Sequence, residues 1–313
     1  MVGRAKSKDL VEVFGYEPDD TTSSVRSLWR LGACPFTNKA CTKANHDGSI
    51  TYGTCSVTSA YGDCIICPNR LYENNYAALR RIATNVFGDD AEFVLFEEYV
   101  RRRDEAGIFA VALGQNSGRE VKIGKNLSMD WVLAKVCNGA LVEYAGIEVQ
   151  SIDITGNYRD GWHAYRNAKP GVIESIPSSG HGLNWANVHK RLIPQIIRKG
   201  RVYASSEMVK SGLHFVVPEI VYRKFEEIIG ADIQIVAGGA PDIITIHTYS
   251  LSPAMGHGKQ RSLLAEREIS VSLDEFAQRF ISGPNLPSGM LLDSAVMRVL
   301  GLENALNRAP SAP

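Results

Sequence analysis

The sequence has no apolar run approaching the roughly 18 residues that a membrane-spanning helix needs, so an integral helical membrane protein is excluded. It has no net charge: 34 Lys and Arg stand against 34 Asp and Glu. No global field therefore drives the chain toward nucleic acid or an anionic membrane, although a dimer can still line one cleft with its basic residues. The opening MVGRAKSKDLVEVF lacks the apolar core of a secretory signal, and the chain reads as cytoplasmic. Gly256-His-Gly258-Lys259 lacks both the spacing and the Ser/Thr of a phosphate-binding loop, and neither HExxH nor GxSxG occurs. No repeat with a period of roughly 20–50 residues is present. With 313 residues, 44% of them hydrophobic and 22% charged, the chain can build a sizeable core, and disorder is excluded as a description of the whole.

Cysteine is scarce but crowded. Five of the six cysteines fall in the series Cys34-x6-Cys41-x13-Cys55-x8-Cys64-x2-Cys67, and Cys137 stands apart. In a cytoplasmic chain such a group points to a metal site rather than to a set of disulfides. The surrounding stretch, Gly32 to Pro68, is rich in Gly, Thr, Asn and Ser and has no sustained period of 2 or 3.6. It reads as loops and short strands that need a metal staple. Gly32 and Gly53 precede Cys34 and Cys55 by two residues, and Pro35 and Pro68 follow Cys34 and Cys67, which allows tight turns around sulfur. Five cysteines compete for four tetrahedral places. Spacing alone favours Cys64 and Cys67 as a ligand pair, and His46 is a weaker donor.

After this segment the spacing predicts helices over Leu71–Val86, with Gly88 as a stop, and over Phe93–Glu105. Strands are expected at 108–114, 119–123, 127–136 and 141–154, the last two joined by a hairpin at Asn138-Gly139. A helix is expected from Trp185 to Lys199, ending at Gly200. Then come a strand and helix over 214–230, strands ADIQIVA, IITIHTYSL and EISVSL, and helices over 273–281 and 288–302. The sum is a mixed α/β chain, divided at residue 90 into an N-terminal region (1–90) and a larger unit (91–313).

Within the predicted hairpin, Asp130 lies on one strand and Glu148 and Gln150 on the next. Residues i and i+2 of a strand share a face, so Glu148 and Gln150 project together while Val149 turns into the core. Pairing of the strands brings Asp130 beside Glu148. Two carboxylates meeting there resist ionisation unless a divalent cation neutralises them, which describes a site for Mg²⁺ completed by phosphate oxygens. The segment His189-Lys190-Arg191 to Arg198-Lys199-Gly200-Arg201 gathers five Lys and Arg side chains around one helix, the best place for phosphate contact in a neutral chain. Tyr158-Arg159 follows the Glu148 strand closely and offers side chains for DNA contact.

Taken together, GACPF (32–36), Cys41-Thr-Lys, Gly53-Thr-Cys55-Ser-Val, ICPNRLY (66–72), MDWVLAKV (129–136), GIEVQSIDITGNYRD (146–160) and GLNWANVHKRLIPQIIRKG (182–200) resemble the NotI family of Type II restriction endonucleases, most of all its EagI group. The order of these blocks is far more specific than any one of them. The resemblance implies a PD-(D/E)xK restriction-endonuclease-like core, a mixed central sheet flanked by helices, with an N-terminal segment whose four cysteines bind a metal. It implies catalytic residues Asp130, Glu148 and Gln150, with Gln in place of the usual Lys, and Mg²⁺ held by Asp130, Glu148 and the Val149 carbonyl. It implies a structural iron, with zinc as the alternative, on Cys34, Cys41, Cys55 and Cys67. Cys64 departs from the family pattern. DNA contact is assigned to Tyr158, Arg159, Lys190 and Arg191. The implied activity is hydrolysis of both strands of duplex DNA at a GC-rich palindrome centred on GGCC, namely CGGCCG. A homodimer in the bacterial cytoplasm would perform it, with a methyltransferase acting on the same site and held in no stable complex. Two other readings compete: a non-cleaving DNA-binding protein, and a repair-type PD-(D/E)xK nuclease without sequence preference.

Overall fold

The computed structural model describes residues 8–123, 127–169, 175–284 and 286–301. Its centre is a seven-stranded mixed sheet: β1 (Glu92–Leu95), β2 (Ile108–Gly114), β3 (Trp131–Cys137), β4 (Ala140–Val149), β5 (Val209–Pro218), β6 (Ile243–Leu251) and β7 (Leu263–Ser272). The strands lie side by side in chain order. β1 and β2 are parallel, as are β4, β5 and β6, while the β2–β3, β3–β4 and β6–β7 pairs are antiparallel. The β3–β4 hairpin turns at Asn138 and Gly139, both with positive φ (47° and 81°), the backbone that an Asn-Gly pair tolerates best.

Eight helices of seven residues or more accompany the sheet among the described residues: α1 (Ser23–Leu31), α2 (Glu73–Phe87), α3 (Phe96–Arg102), α4 (Arg159–Asn167), α5 (Ile193–Ala204), α6 (Glu219–Ile229), α7 (Leu273–Ser282) and α8 (Gly289–Val299). Leu79 and Ile82 of α2 pack on Ala110, Ala112, Leu133, Ile147 and Val149. Ile193, Ile196 and Tyr203 of α5, Phe225 of α6 and Phe276 of α7 share the second core with Leu213, Phe215, Ile244 and Val271. The sheet is thus covered on both faces, which is why its central strands read as nearly continuous apolar runs. The second core also takes in Leu10, Val13, Trp29 and Val57, so the N-terminal region and the sheet share buried surface.

Several expectations change. Phe93–Leu95 is not helical: these residues join the sheet as β1 because Val94 is buried against β2, and the helix starts only at Phe96. The strand expected over 127–136 breaks at Asp130. Leu127–Met129 pairs instead with Val121–Ile123, while β3 begins at Trp131. Gly200 does not end its helix. A Cβ there would lie 2.9 Å from Leu273, so the glycine serves close packing of α5 on α7, and the helix continues to Ala204. ADIQIVA contributes only an isolated bridge from Ile235 to Val271. No helix is long and apolar enough to cross a membrane among the described residues.

Candidate active site

Asp130 occupies the corner where the chain bends into β3, directly opposite the end of β4. The Val149 N–H donates to Asp130 Oδ2 at 3.1 Å, and the Asp130 N–H donates to Glu148 Oε1 at 3.3 Å. These crossed bonds replace the next rung of the ladder and hold the two carboxylates together. Glu148 is 6% exposed, whereas Asp130 is half-buried and faces open space. Burial pushes the Glu148 carboxyl up to about 8, the Asp130 charge pushes the same way, and Lys199 opposes both. Val149 turns to the opposite face, into the α2 core, as the alternation requires.

The structure adds a residue that the sequence pattern does not assign to this centre. Lys199 Nζ, from α5, hydrogen-bonds Glu148 Oε2 and lies 3.8 Å from Asp130 Oδ1. Lys199 is itself buried. One cation thus stands against two carboxylates, which leaves an electrostatic deficit that a divalent ion would satisfy. The sequence shows Lys199 only as one member of a basic run. The five basic residues of that run do not share a face. Lys199 points inward and Arg201 pairs with Asp274, while Lys190, Arg191 and Arg198 are exposed. The side chain of His189 lies outside the described residues.

In front of Asp130 opens a cleft of about 480 Å³. Asp130, Val149, Gln150, Glu120 and Asn116 form the sheet side, and Thr37, Lys39, Thr42 and Asn69 of the cysteine-rich segment form the other. Two hydrogen bonds clamp these walls: Lys39 Nζ donates to the Asn116 carbonyl at 2.7 Å, and Asn116 Nδ2 donates to Asn69 Oδ1 at 3.3 Å. Gln150 borders this cleft and a smaller hollow with Ile152, Asp153, Asn187, Arg191 and Gln195.

The cysteine-rich wall carries its own centre. Cys34, Cys41 and Cys55 cluster around Phe36, and Cys67 lies within electrostatic reach of Cys34, Cys41 and Cys55. Burial pushes the thiol of Cys67 up to about 11 and that of Cys55 well above its usual range. Backbone N–H groups two residues on, those of Lys43 and Asn69, work against burial at Cys41 and Cys67. A cation among these sulfurs would supply the charge that their thiolate form lacks. No three of these sulfurs lie within 4.8 Å of one another, so closure on one ion requires the loops to draw in; the described donors that do meet so closely are Glu17, Asp19 and His257. Cys64 is not brought to this group. Its side chain sits in the main core beside Val57 and Ile66, with the Sγ directed at the Ile65 carbonyl. Cys64 therefore does not join Cys67 as spacing alone suggests.

Beneath the cluster lies an ion pair that the sequence pattern does not reveal. Arg70 and Glu12 are both fully buried, with Nε 3.1 Å from Oε2. Arg70 also pairs with Glu73 at 2.7 Å, donates to the Arg261 carbonyl at 2.6 Å, and stacks over Phe36 at 4.8 Å. Glu12 accepts a further bond from Ser56 at 2.8 Å.

The residues assigned to DNA contact divide. Arg159, Lys190 and Arg191 are exposed. Tyr158 is only 8% exposed and meets Tyr52 edge-on at 5.6 Å. Its ring belongs to the packing under α4, beside Trp162 and Tyr165.

The family model "Restriction endonuclease NotI" matches residues 26–207, more than half of the chain and a span that includes Cys34, Asp130, Glu148 and Lys199. A search among curated proteins finds no match. The chain therefore belongs to the NotI restriction endonuclease family and is a site-specific deoxyribonuclease.

Proposed function

We propose that Asp130 and Glu148 form a PD-(D/E)xK-type nuclease centre that hydrolyses both strands of duplex DNA at CGGCCG with Mg²⁺. The observation that carries this reading is the pair of carboxylates crossed at the adjoining ends of β3 and β4, one buried and one open to the cleft, with too little positive charge between them. Asp130, Glu148 and the Val149 carbonyl would hold the cation, which when bound would polarise water and offset charge on the pentavalent phosphate. Water adds in line to phosphorus, the bond to the 3′ oxygen breaks, and the products are a 5′-phosphate and a 3′-hydroxyl. Gln150, which carries no charge, orients the attacking water by hydrogen bonding. Arg159, Lys190 and Arg191 contact the DNA backbone.

Cys34, Cys41, Cys55 and Cys67 hold a structural iron, or zinc, that stiffens the cleft wall formed by Thr37, Lys39 and Thr42. A palindromic site calls for a two-fold dimer with one centre per strand. In support, Met290, Leu291, Leu292 and Val299 of α8 stand exposed, an apolar surface of the kind that a second copy covers.

Digestion of a GC-rich plasmid of known sequence, with Mg²⁺ and with EDTA, tests the reading. Discrete fragments that end at CGGCCG and vanish with EDTA are expected. A smear would remove the specificity, and binding without cleavage would return the protein to the non-cleaving alternative.

A further inference from the structure

The third position of the acidic motif is Gln150, an amide that carries no charge. The positive charge at this centre comes from a different element. Helix α5 runs antiparallel to β4 across the face of the sheet, and the two elements match in register. Four residues of helix advance about 6.0 Å and two residues of strand about 6.8 Å, so every fourth helical residue meets every second strand residue.

Two contacts and one shared hollow show the match. The Tyr203 ring sits where a Cβ on Gly146 would fall, 2.1 Å from that position, so only glycine admits it. Lys199 lies over Glu148. Gln195 and Gln150 line the same hollow. The close approach at Gly146 fixes the height of the helix above the strand, and α7 presses on the helix from outside at Gly200. Lys199 has little freedom to sit anywhere but on the carboxylate pair.

Burying an ammonium is costly unless it is paired, and here its partners are the two carboxylates that the proposed reaction uses. A surface role would leave this lysine in solvent, like Arg198 on the same helix.

We infer that Lys199 is the cationic catalytic residue of this nuclease, supplying from α5 the charge that Gln150 cannot supply from the end of β4. This rests on Asp130 and Glu148 being the nuclease centre. In the protein without DNA, the ammonium neutralises part of the carboxylate charge and competes with a divalent cation for it. With DNA in the cleft, it contacts a non-bridging oxygen of the attacked phosphate and offsets the charge that builds there.

The two roles predict opposite changes on removing the charge, which a purely structural lysine would not produce. The test uses the full chain, with Lys199→Met, Lys199→Gln, Lys199→Arg, the double variant Lys199→Met/Gln150→Lys, and Glu148→Ala as a control. Single-turnover cleavage of a GC-rich plasmid is started with Mg²⁺, Ca²⁺ binding to the DNA-free protein is measured by calorimetry, and folding is checked by circular dichroism. Lys199→Met is expected to slow cleavage by about 10²–10³-fold and to tighten Ca²⁺ binding by about tenfold. Lys199→Arg should retain more activity than either neutral variant, and Gln150→Lys should restore part of the loss in the Met background. Lys199→Gln serves if Met at this position prevents folding. Lys199→Met cleaving at the wild-type rate while Glu148→Ala is inert would overturn the inference and leave the nuclease centre standing. Slow cleavage with unchanged or weakened Ca²⁺ binding would reduce Lys199 to a structural residue. Wild-type cleavage by Glu148→Ala would instead remove the centre itself.

Discussion

The two walls of the cleft are built in different ways. The cysteine cluster takes its four residues from one short stretch between Cys34 and Cys67, and local turns deliver them. The carboxylate centre takes Asp130 and Glu148 from one hairpin and Lys199 from a helix 51 residues beyond Glu148, and sheet pairing and helix register bring the three together. The first gathers largely buried thiols over the buried Arg70–Glu12 pair. The second sits on a sheet packed on both faces, at the adjoining ends of two of its central strands. The site proposed to bind and release cation and substrate stands on the packed sheet, and the loop-rich segment is the one for which a permanent staple is proposed.

Exchanging a ligand in the cysteine wall should have the largest effect. Cys34→Ser or Cys67→Ser is expected to yield insoluble or metal-free protein, since a structural metal contributes on the order of 10 kcal/mol to folding of such a segment. Cys64→Ser should keep the metal and lose only about 1 kcal/mol, as one buried polar substitution in an apolar core. Metal content by mass spectrometry of the purified variants decides the matter. A metal-loaded Cys67→Ser would give Cys64 a place among the ligands.

On the carboxylate side, Asp130→Asn should reduce cleavage by about 10³-fold while leaving the melting temperature and DNA retention in a gel shift near those of the wild type. Full cutting by this variant would end the assignment of Asp130.

Arg70→Met probes the join between the walls. It strands the buried Glu12 carboxylate and is expected to cost about 3–5 kcal/mol in denaturant unfolding. The further variant Glu12→Gln in the Arg70→Met background should recover part of that loss, because the uncompensated charge is gone. Equal stability of Arg70→Met and wild type would show that the ion pair holds nothing.

The smallest effect concerns the sheet alone. His214 and His247 stack on adjacent strands β5 and β6, with Nδ1 of one 3.1 Å from Nε2 of the other. Burial holds His214 down to about 4 and His247 lower still, and His214 and Arg81 further disfavour a charge on His247. The Glu268 carboxylate stands 3.4 Å from His247 Nδ1. In the unfolded chain both residues take up protons near pH 6.5, so the unfolded state binds more protons below that value. Stability is therefore full above about pH 6.5 and falls toward pH 4, by up to about 1.4 kcal/mol per pH unit for each histidine. Urea midpoints at pH 7.5 and 5.5 measure the fall, and His247→Gln should flatten it. An unchanged slope in that variant would place the acid sensitivity elsewhere.

Much of the fold and site is legible in the sequence. Asn138-Gly139 between two apolar runs is a local signal, and it brings Asp130 and Glu148 onto paired strands. The alternation of Glu148 and Val149 tells which of them enters the core. Phe93–Leu95 misleads because a short apolar run beside Glu97 and Glu98 suits a helix start as well as an edge strand, and only the space beside β2 settles the choice. Gly200 misleads because a glycine can end a helix or let another helix approach, and the sequence does not say where Leu273 is.

By itself, then, the sequence determined the local chemistry: the cysteine turns, the β3–β4 hairpin, the acidic pair and the family to which the chain belongs. Tertiary structure alone decided that Cys64 is core, that Tyr158 is buried, that Arg70 lies under the cluster, and that Lys199 reaches the carboxylates. The reason is geometric. Turns and strand alternation are set by neighbours in the chain. The position of Lys199 depends on how α5 lies across β4, and that depends on a glycine at 146 with no side chain to announce what fills its place.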